Sequence, residues 1–367
     1  MIPALYVMIK PVSGSCNLRC TYCFYADEMH HREVASYGRM EEKTMETLIR
    51  RSLAQAEHQM TFAFQGGEPT LAGLSFYRQF VACAEKYRKP GQRIQYALQT
   101  NGICIDEEWA QFLAEHHFLV GLSLDGPRKL HDHYRLRPEG DGSFQRVMLA
   151  AKILRQYRVD VNVLTVVTAY NAPRIQTIYT FFHENHLDYQ QYIPCIDPFG
   201  GTKGEQPYSL SGRAYGQFLC DLFDLWYEDI THGRFIYIRM FENLVGMLRG
   251  YPPESCDMGG CCSPQYVVEA DGSVYPCDFY VLDEWRLGNI CQNTYEELDQ
   301  KRAELRFIEP SMEHPAQCES CRWHGLCRNG CRRDRLPQSD GGLGTNVYCE
   351  GFQRFYEHAY ARLLQLA

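Results

Sequence analysis

The chain reads Cys16-Asn17-Leu18-Arg19-Cys20-Thr21-Tyr22-Cys23 near its N-terminus, with Phe24 immediately after. This C-x3-C-x2-C spacing offers three thiolates and no fourth. A structural zinc site takes four protein ligands, whereas a [4Fe–4S] cluster bound by three cysteines leaves one iron open to another molecule. The segment therefore predicts an iron–sulfur cluster with an open coordination position.

Two other interpretations of these cysteines stay open. One is a disulfide framework, although a chain of 367 residues is long enough to form a hydrophobic core without disulfide cross-links. The other is zinc, because His30 and His31 follow shortly and would complete a tetrahedron. Paired histidines in a polar stretch are more often solvated surface residues.

The three-cysteine motif resembles that of the radical S-adenosylmethionine (SAM) enzymes. The resemblance implies that the open iron binds the amino and carboxylate groups of SAM. An electron from the cluster then cleaves SAM, and a 5'-deoxyadenosyl radical is formed.

Composition narrows the class of protein. The formal net charge of −8 argues against a nucleic-acid partner, and no apolar run approaches the length of a membrane span. The first ten residues lack the features of an export signal, so we expect a cytoplasmic protein. Seventeen cysteines in such a protein indicate metal binding more than disulfides.

Short β-rich runs alternate with helical periodicity up to residue 195. The predicted strands are Ala4 to Lys10, Met60 to Phe64, Arg93 to Leu98, Phe118 to Leu124, Asp160 to Thr168 and Asp188 to Ile193. The predicted helices are Glu41 to His58, Leu74 to Arg88, Asp106 to His116, Phe144 to Tyr157 and Arg174 to His186. Six β-then-α units predict an α/β fold with a parallel sheet, in the form of a partial (β/α)6 TIM-like barrel.

Polar segments follow the strands of this sheet. They are Cys16 to Cys23, Gln65 to Pro69, Gln99 to Gly102, Ser123 to Gly126 and Pro194 to Asp197. Because the C-terminal ends of parallel strands build the active site in such folds, we expect these segments to converge on one mouth.

Two domains are expected, a barrel over residues 1–235 and a cysteine-rich domain over residues 236–367. A turn-rich stretch at 197–210 reads as a linker or lid, and a long helix from Gly212 to His232 follows it. The second domain has too few long periodic runs to be stable without its metals.

The second domain carries a distinctive cysteine pattern. Cys262, Gly272 and Cys277 are spaced C-x9-G-x4-C, and Cys318, Cys321, Cys327 and Cys331 are spaced C-x2-C-x5-C-x3-C. Cys256 and Cys349 bring the total to two sets of four, enough for two fully ligated [4Fe–4S] clusters. A pair of zinc knuckles is the alternative.

These spacings resemble the SPASM domain, which implies a crossed assignment. The cluster nearer the active site would be bound by Cys256, Cys262, Cys277 and Cys331, and the outer cluster by Cys318, Cys321, Cys327 and Cys349. Cys261 competes with Cys262, although the nine-residue interval to Gly272 favours Cys262. With no open iron, both clusters would transfer electrons, so the overall reaction would be an oxidation.

The chain is similar to the anaerobic sulfatase-maturating enzymes over essentially its whole length. The similar segments are Ile9-Lys10-Pro11, Phe62 to Thr70, Tyr275 to Val281 and Trp285 to Ile290. This resemblance implies oxidation of an active-site Cys or Ser in a sulfatase to Cα-formylglycine, within a C/S-x-P-x-R motif of an unfolded or nascent chain. It also implies three [4Fe–4S] clusters, SAM, and a flavodoxin- or ferredoxin-like reductant.

The same resemblance implies roles for individual residues. The candidate SAM contacts are Tyr22, Gly66, Gly67, Glu68, Ser123 and Arg135. Asp278 would be the general base, and Tyr25, Gln65 and Gln99 would line the substrate pocket. Glu68 reads equally as a buried structural acid, Arg135 as a salt-bridged surface residue, and Asp278 as the cap of a local turn.

Two rival functions stay open. One is a SPASM enzyme that forms thioether or carbon–carbon crosslinks in a ribosomal peptide. The other is a zinc-binding scaffold without catalysis.

Overall fold

The computed structural model describes residues 1–338 and 341–367, which form two compact units. The first unit comprises residues 1–124, 132–161 and 264–305, and the second comprises residues 125–131, 162–263 and 306–367. The predicted domain boundary at residue 235 stays a prediction.

The strands are β1 (Ile2–Ile9), β2 (Ala56–Phe64), β3 (Arg93–Thr100), β4 (Phe118–Ser123), β5 (Asp160–Val167), β6 (Tyr189–Pro194), β7 (Tyr237–Ile238), β8 (Val267–Val268), β9 (Ser273–Tyr275), β10 (Gly288–Asn289), β11 (Arg335–Pro337) and β12 (Leu343–Asn346).

The helices are α1 (Phe24–His30), α2 (Glu42–Gln55), α3 (Leu74–Tyr87), α4 (Glu107–Glu115), α5 (Arg128–Tyr134), α6 (Phe144–Gln156), α7 (Ile175–Glu184), α8 (Gly212–Thr231), α9 (Arg239–Leu248), α10 (Cys256–Gly259), α11 (Tyr295–Glu304), α12 (Glu309–Met312), α13 (Ala316–Glu319), α14 (His324–Cys327) and α15 (Cys349–Leu366). Short 3-10 turns occupy Pro69–Ala72, Ala172–Arg174, Asp283–Trp285 and Arg332–Asp334.

The first unit is built on a sheet in the order β10-β9-β8-β1-β2-β3-β4. Strands β1 to β4 are parallel, with Ile9 paired to Phe64 and Phe64 paired to Leu98. Alternate residues Leu5, Val7 and Ile9 of β1 are buried, as a period of two requires for a strand packed on a core. The loops that follow β1, β2 and β3 consequently leave from one edge of the sheet.

The second unit contains the parallel strands β5-β6-β7 and the long helices α8 and α15. The two helices approach closely at Gly216 and Gly351. A Cβ atom on Gly216 would lie 2.5 Å from the Cα atom of Gly351, so glycine is required at this crossing.

The six predicted strands and the six predicted helices are all present, with shifted ends. The largest shift lies between α2 and β2, because the predicted helix runs to His58 whereas α2 ends at Gln55. Ala56 instead begins β2, where it pairs with Ile2 of β1. The strand ladder therefore takes three residues from the predicted helix.

The C-terminal region contains one long periodic helix, and the expectation that this region needs its metals for stability stays a prediction. Helix α15 spans 18 residues and buries Phe355, Tyr356, Ala359 and Leu363 along one face. Within the described residues, none of the helices is both long enough and apolar enough to span a membrane.

Candidate active site

The three-cysteine motif lies in the loop between β1 and α1. Cys23 is the N-cap of α1, and its amide donates to the carbonyl oxygen of Cys20 over 3.2 Å. The thiol sulfur of Cys16 accepts from the Leu18 amide at 3.4 Å and from Asn101 Nδ2 at 3.8 Å. Burial raises the pKa of the Cys16 thiol to about 11, so binding iron must displace a proton there. N–H donors to sulfur are a common surrounding of iron–sulfur ligands.

The segment Gly66-Gly67-Glu68 docks against the loop that carries the cysteines. The Gly67 amide donates to Ser13 O at 2.9 Å, and the Glu68 amide donates to Ser15 O at 2.8 Å. A Cβ atom on Gly67 would lie 2.2 Å from the backbone oxygen of Ser15, so no larger residue fits. The glycines therefore permit a close approach of two backbones beside the cysteine motif.

Glu68 joins two of the strand-end loops. Its buried carboxylate accepts hydrogen bonds from the Thr70 amide at 3.0 Å, the Thr70 hydroxyl at 2.5 Å, the Thr100 hydroxyl at 2.7 Å and the Asn101 amide at 2.7 Å. Burial raises the pKa of Glu68, and these four donors oppose that rise. The side chain is thus occupied in tying the loop after β2 to the loop after β3.

Asp278 lies in a buried polar pocket of the first unit. Its Oδ1 atom is 2.5 Å from Lys10 Nζ, and its Oδ2 atom accepts from Gln65 Nε2 at 2.6 Å. Lys10 is fully buried at the end of β1, and its ammonium lies 3.9 Å from the centre of the Tyr25 ring. Both carboxylate oxygens of Asp278 are therefore held by side chains that directly follow the parallel strands β1 and β2.

A second buried cluster surrounds Tyr25. The Tyr25 hydroxyl donates to Glu269, which also pairs with Arg32 at 2.7 Å. Glu28 lies nearby with its Oε1 atom 3.3 Å from the Val281 amide, while its Oε2 atom is buried and has no hydrogen-bond partner in the described part of the chain. Burial raises the pKa of Glu28 well above its ordinary value, and the positive charges of Lys10 and Arg32 oppose that rise.

The remaining predicted SAM and substrate contacts lie around these loops. Tyr22 is buried edge-on against Tyr134, with ring centres 5.5 Å apart, and the guanidinium of Arg135 lies 5.5 Å from the Tyr22 ring. Arg135 is itself buried, which excludes its interpretation as a surface residue. Ser123 is buried at the end of β4, and Gln99 is half-buried near the end of β3.

The four cysteines predicted for the outer cluster line one cavity of the second unit. Cys318, Cys321, Cys327 and Cys349 surround about 270 Å³ of space, together with Trp323, His324, Asn346, Phe352 and other residues of α14 and α15. Burial raises the pKa of the Cys327 thiol to about 12 and also raises that of Cys318. A closed set of four sulfur donors around one cavity suits a fully ligated cluster.

The cysteines predicted for the inner cluster divide between the units. Cys256, Cys262 and Cys331 belong to the second unit, whereas Cys277 follows β9 in the first unit. The sulfur of Cys277 accepts from the Phe279 amide at 3.5 Å, and that of Cys331 accepts from the Arg333 amide at 3.4 Å. Cys261 is exposed, whereas Cys262 is half-buried.

Disulfides and zinc are the two alternatives to iron–sulfur clusters in this chain. All seventeen cysteines are free thiols. In residues 1–338 and 341–367, no group of three His, Cys, Asp or Glu side chains converges closely enough to hold a single metal ion. His30 and His31 are exposed at the end of α1, where each Nδ1 atom contacts a backbone carbonyl oxygen of the preceding turn.

Four charged residues of this site are absent from the set predicted by the motifs: Lys10, Glu28, Arg32 and Glu269. Lys10 and Glu269 each carry a charge at the end of an apolar strand. This position is the one sequence signal that Lys10 and Glu269 belong to the site, because charged residues are seldom fully buried unless they are paired.

Two family models match the chain. The model of the radical SAM superfamily matches residues 11–181, and the model of the SPASM iron–sulfur cluster-binding domain matches residues 260–323. These domains imply the predicted cofactors, [4Fe–4S] clusters and SAM, and a count of three clusters fits the family.

Individual relatives are similar over almost the whole chain. A cysteine-type anaerobic sulfatase-maturating enzyme from Clostridium novyi (strain NT) is 46% identical over 99% of this chain and 97% of its own length. A serine-type enzyme from Bacteroides thetaiotaomicron is 32% identical over 96% of this chain and 89% of its own length. A solved structure described as native anSMEcpe with bound AdoMet and Kp18Cys peptide has a TM-score of 0.95, with 44% identity and 99% of each chain covered.

The fold class, the enzyme class and the family expected from the motifs are confirmed by these matches. The family assignment does not depend on the short motifs alone, because the sequence identity is well above 30% over nearly the full length. The chain belongs to the anaerobic sulfatase-maturating enzymes, a family of radical SAM proteins with a SPASM domain.

Proposed function

We propose that this chain oxidises an active-site cysteine of a sulfatase polypeptide to Cα-formylglycine. When bound, SAM and the clusters supply the 5'-deoxyadenosyl radical and a route by which one electron leaves. Removal of one β-hydrogen from the cysteine, followed by loss of a proton and an electron, gives a thioaldehyde. Water then replaces the sulfur, and the products are the aldehyde and hydrogen sulfide.

The chain offers a residue set for each group. The first cluster would be held by Cys16, Cys20 and Cys23, the inner cluster by Cys256, Cys262, Cys277 and Cys331, and the outer cluster by Cys318, Cys321, Cys327 and Cys349. The half-buried position of Cys262 supports it over the exposed Cys261. SAM would lie against Tyr22, Gly66, Gly67, Ser123 and Arg135, while Glu68 fixes the backbone of its own loop.

The buried carboxylate of Asp278 is the observation that carries the proposal. It lies one residue after Cys277, and Lys10 and Gln65 hold its two oxygens. A general base must be fixed within reach of the proton that it accepts. Asp278 would take the proton that leaves the substrate, beside the cluster that takes the electron.

The substrate side of the proposal rests on the relatives. Identity is higher to the cysteine-type than to the serine-type enzyme, so we expect cysteine to be preferred. The peptide would carry the C/S-x-P-x-R motif, with Gln65, Gln99 and Tyr25 around the residue to be oxidised. The proposed reductant of the first cluster is a flavodoxin- or ferredoxin-like protein of the cytoplasm.

The test is a peptide assay under anaerobic conditions. The protein with its clusters, SAM and a chemical reductant is incubated with a sulfatase peptide in cysteine, serine and alanine versions. The products are treated with an aldehyde-specific hydrazide and analysed by mass spectrometry. The tagged product should form faster from the cysteine peptide than from the serine peptide, and none should form from the alanine peptide. A product that lacks two hydrogens but does not react with the hydrazide would instead indicate a crosslink and overturn the proposal.

A further inference from the structure

His324 lies among the cysteines of the outer cavity. It is the first residue of α14, between Cys321 and Cys327, and it lines the cavity of about 270 Å³ that the four cysteines surround. Its Nε2 atom is buried and makes no hydrogen bond to any described residue. A buried imidazole nitrogen without a partner costs about 1–3 kcal/mol, so such atoms call for an explanation.

The backbone of His324 is held within its turn, and its ring packs against a neighbouring ring. Its backbone amide donates to Cys321 O at 3.0 Å, and its carbonyl oxygen accepts from the Arg328 amide at 3.0 Å. The ring of His314 packs edge-on against it, with ring centres 4.8 Å apart. Burial lowers the pKa of His314, and the positive charge of Arg335 adds to that lowering.

The sulfur atoms of a cluster held by the four cysteines are acceptors available to this nitrogen. We propose that His324 Nε2–H donates a hydrogen bond to a sulfur of the outer cluster and raises the reduction potential of that cluster. Hydrogen bonds to the sulfurs stabilise the added negative charge of the reduced state, and they are one of the main determinants of cluster potential. The proposal rests on the outer cluster of the proposed function.

A raised potential suits the place of this cluster in the oxidation. The electron that leaves the substrate must end on an acceptor, and an outer cluster that is easier to reduce draws the electron away from the reacting carbon. Gln353 is a second donor on the same cavity wall, with its Nε2 atom 3.7 Å from Cys349 Sγ. Gln353 thus already has a sulfur partner, whereas His324 Nε2 is buried with no partner among the described residues, which makes His324 the stronger candidate for tuning the potential.

The test is a potentiometric titration of the clusters in the intact protein, followed by electron paramagnetic resonance. His324→Phe keeps a ring and removes the donor, while His324→Gln keeps an N–H group. His358→Phe is the matched control, because His358 is an imidazole of α15 that does not line the cavity. In the Phe variant the reduction equilibrium constant of one cluster should fall by roughly tenfold, which corresponds to a reduction potential lower by about 59 mV for one electron. The Gln variant should recover part of this loss, and the control should change nothing.

Pulsed resonance on the reduced protein supplies a second readout. A weak nitrogen coupling to one cluster should be present in the parent and absent in His324→Phe. If the protein holds three clusters but neither their potentials nor their nitrogen couplings change on replacement of His324, the proposed hydrogen bond is refuted and the cluster assignment is not. A strong coupling typical of a directly bound nitrogen would also overturn it, since His324 would then be a ligand. Iron for only two clusters per chain would overturn the cluster assignment of the proposed function as well.

Discussion

Lys10 Nζ lies 2.5 Å from Asp278 Oδ1, although 268 positions separate the two residues in the chain. Both side chains are buried, and Lys10 is fully inaccessible. Breaking one partner of a buried ion pair leaves the other charge uncompensated, at a cost of about 3–5 kcal/mol. The pair therefore fixes the carboxylate of Asp278 more firmly than a surface ion pair would.

Lys10→Met should uncouple radical formation from product formation. The variant keeps the length of the side chain but removes the charge that orients Asp278, so SAM cleavage should continue while the aldehyde formed per SAM cleaved falls by about tenfold or more. The measurement is the ratio of 5'-deoxyadenosine to formylglycine. Lys43→Met, at an exposed position of α2, is the control, and an unchanged ratio in Lys10→Met would show that Lys10 does not position Asp278.

Asp278→Asn should retain SAM cleavage and yield little aldehyde. The amide keeps the shape of the side chain but does not accept a proton, and loss of a general base typically costs about 10²–10⁴-fold in rate. Single-turnover assays with the cysteine peptide would measure this loss. A formylglycine yield equal to that of the parent would exclude Asp278 as the base.

Glu28→Gln should stabilise the protein progressively as pH rises. The pKa of Glu28 is raised in the folded state, mainly by burial, with Asp278 adding to the rise and Lys10 and Arg32 opposing it. Above the ordinary glutamate pKa the unfolded chain releases a proton that the folded chain retains. The free energy of unfolding of the parent therefore falls by up to about 1.4 kcal/mol per pH unit until the folded pKa is reached.

The glutamine variant lacks this penalty. Chemical unfolding at about pH 6 and about pH 8 should show a larger gain for Glu28→Gln at the higher pH. Glu115→Gln, at an exposed position of α4, controls for the loss of one carboxylate. A gain that does not increase with pH would contradict a raised pKa of Glu28.

Gly67→Ala should impair the site through the backbone. The added Cβ would lie 2.2 Å from Ser15 O, so one of the two loops must move, at a cost of about 1–3 kcal/mol. SAM cleavage should fall by about tenfold or more because the displaced loop carries the cluster cysteines. Gly246→Ala in α9 meets only Tyr251 Cβ, at 4.0 Å, and should be tolerated. Unimpaired SAM cleavage in Gly67→Ala would mean that the loops tolerate separation.

Joint replacement of Cys16, Cys20 and Cys23 by alanine should remove one cluster and leave two. Iron should fall from about twelve to about eight per chain, and SAM cleavage should cease. Cys83→Ala, at a half-buried position of α3, is the control. Iron analysis and 5'-deoxyadenosine assays decide the result, and retained cleavage would refute the assignment.

Local patterns were sufficient to predict the framework of this fold. The strands from β1 to β6 are short runs that each carry apolar or aromatic residues, and each is followed along the chain by a periodic helix, so their succession predicts a parallel sheet. Helix α15 also carries a periodic signal, with Phe355, Ala359 and Leu363 on one face. That signal is weaker at its start, where Cys349 and the glycine-rich stretch before it favour a loop.

In the candidate site, too, features set by nearby residues can be predicted from the sequence, whereas contacts between distant residues cannot. The cysteine sets are readable because their spacing is itself the signal. The contact of Lys10 with Asp278 is not readable, since the sequence does not state which of many acids a buried lysine meets. Glu68 shows the converse limit, because its motif favours a ligand role whereas its four hydrogen bonds engage it within the protein.

The four hydrogen bonds of Glu68 also bear on how tightly a cofactor can be held. That one carboxylate joins the loops after β2 and β3, and the amides of Gly67 and Glu68 donate to the cysteine loop, so hydrogen bonds within the protein hold three strand-end loops together. Binding then spends little free energy on ordering the chain, and most of the contact energy remains as affinity. The spacing of the loops, and with it the shape that a ligand must match, is therefore set by hydrogen bonds within the protein.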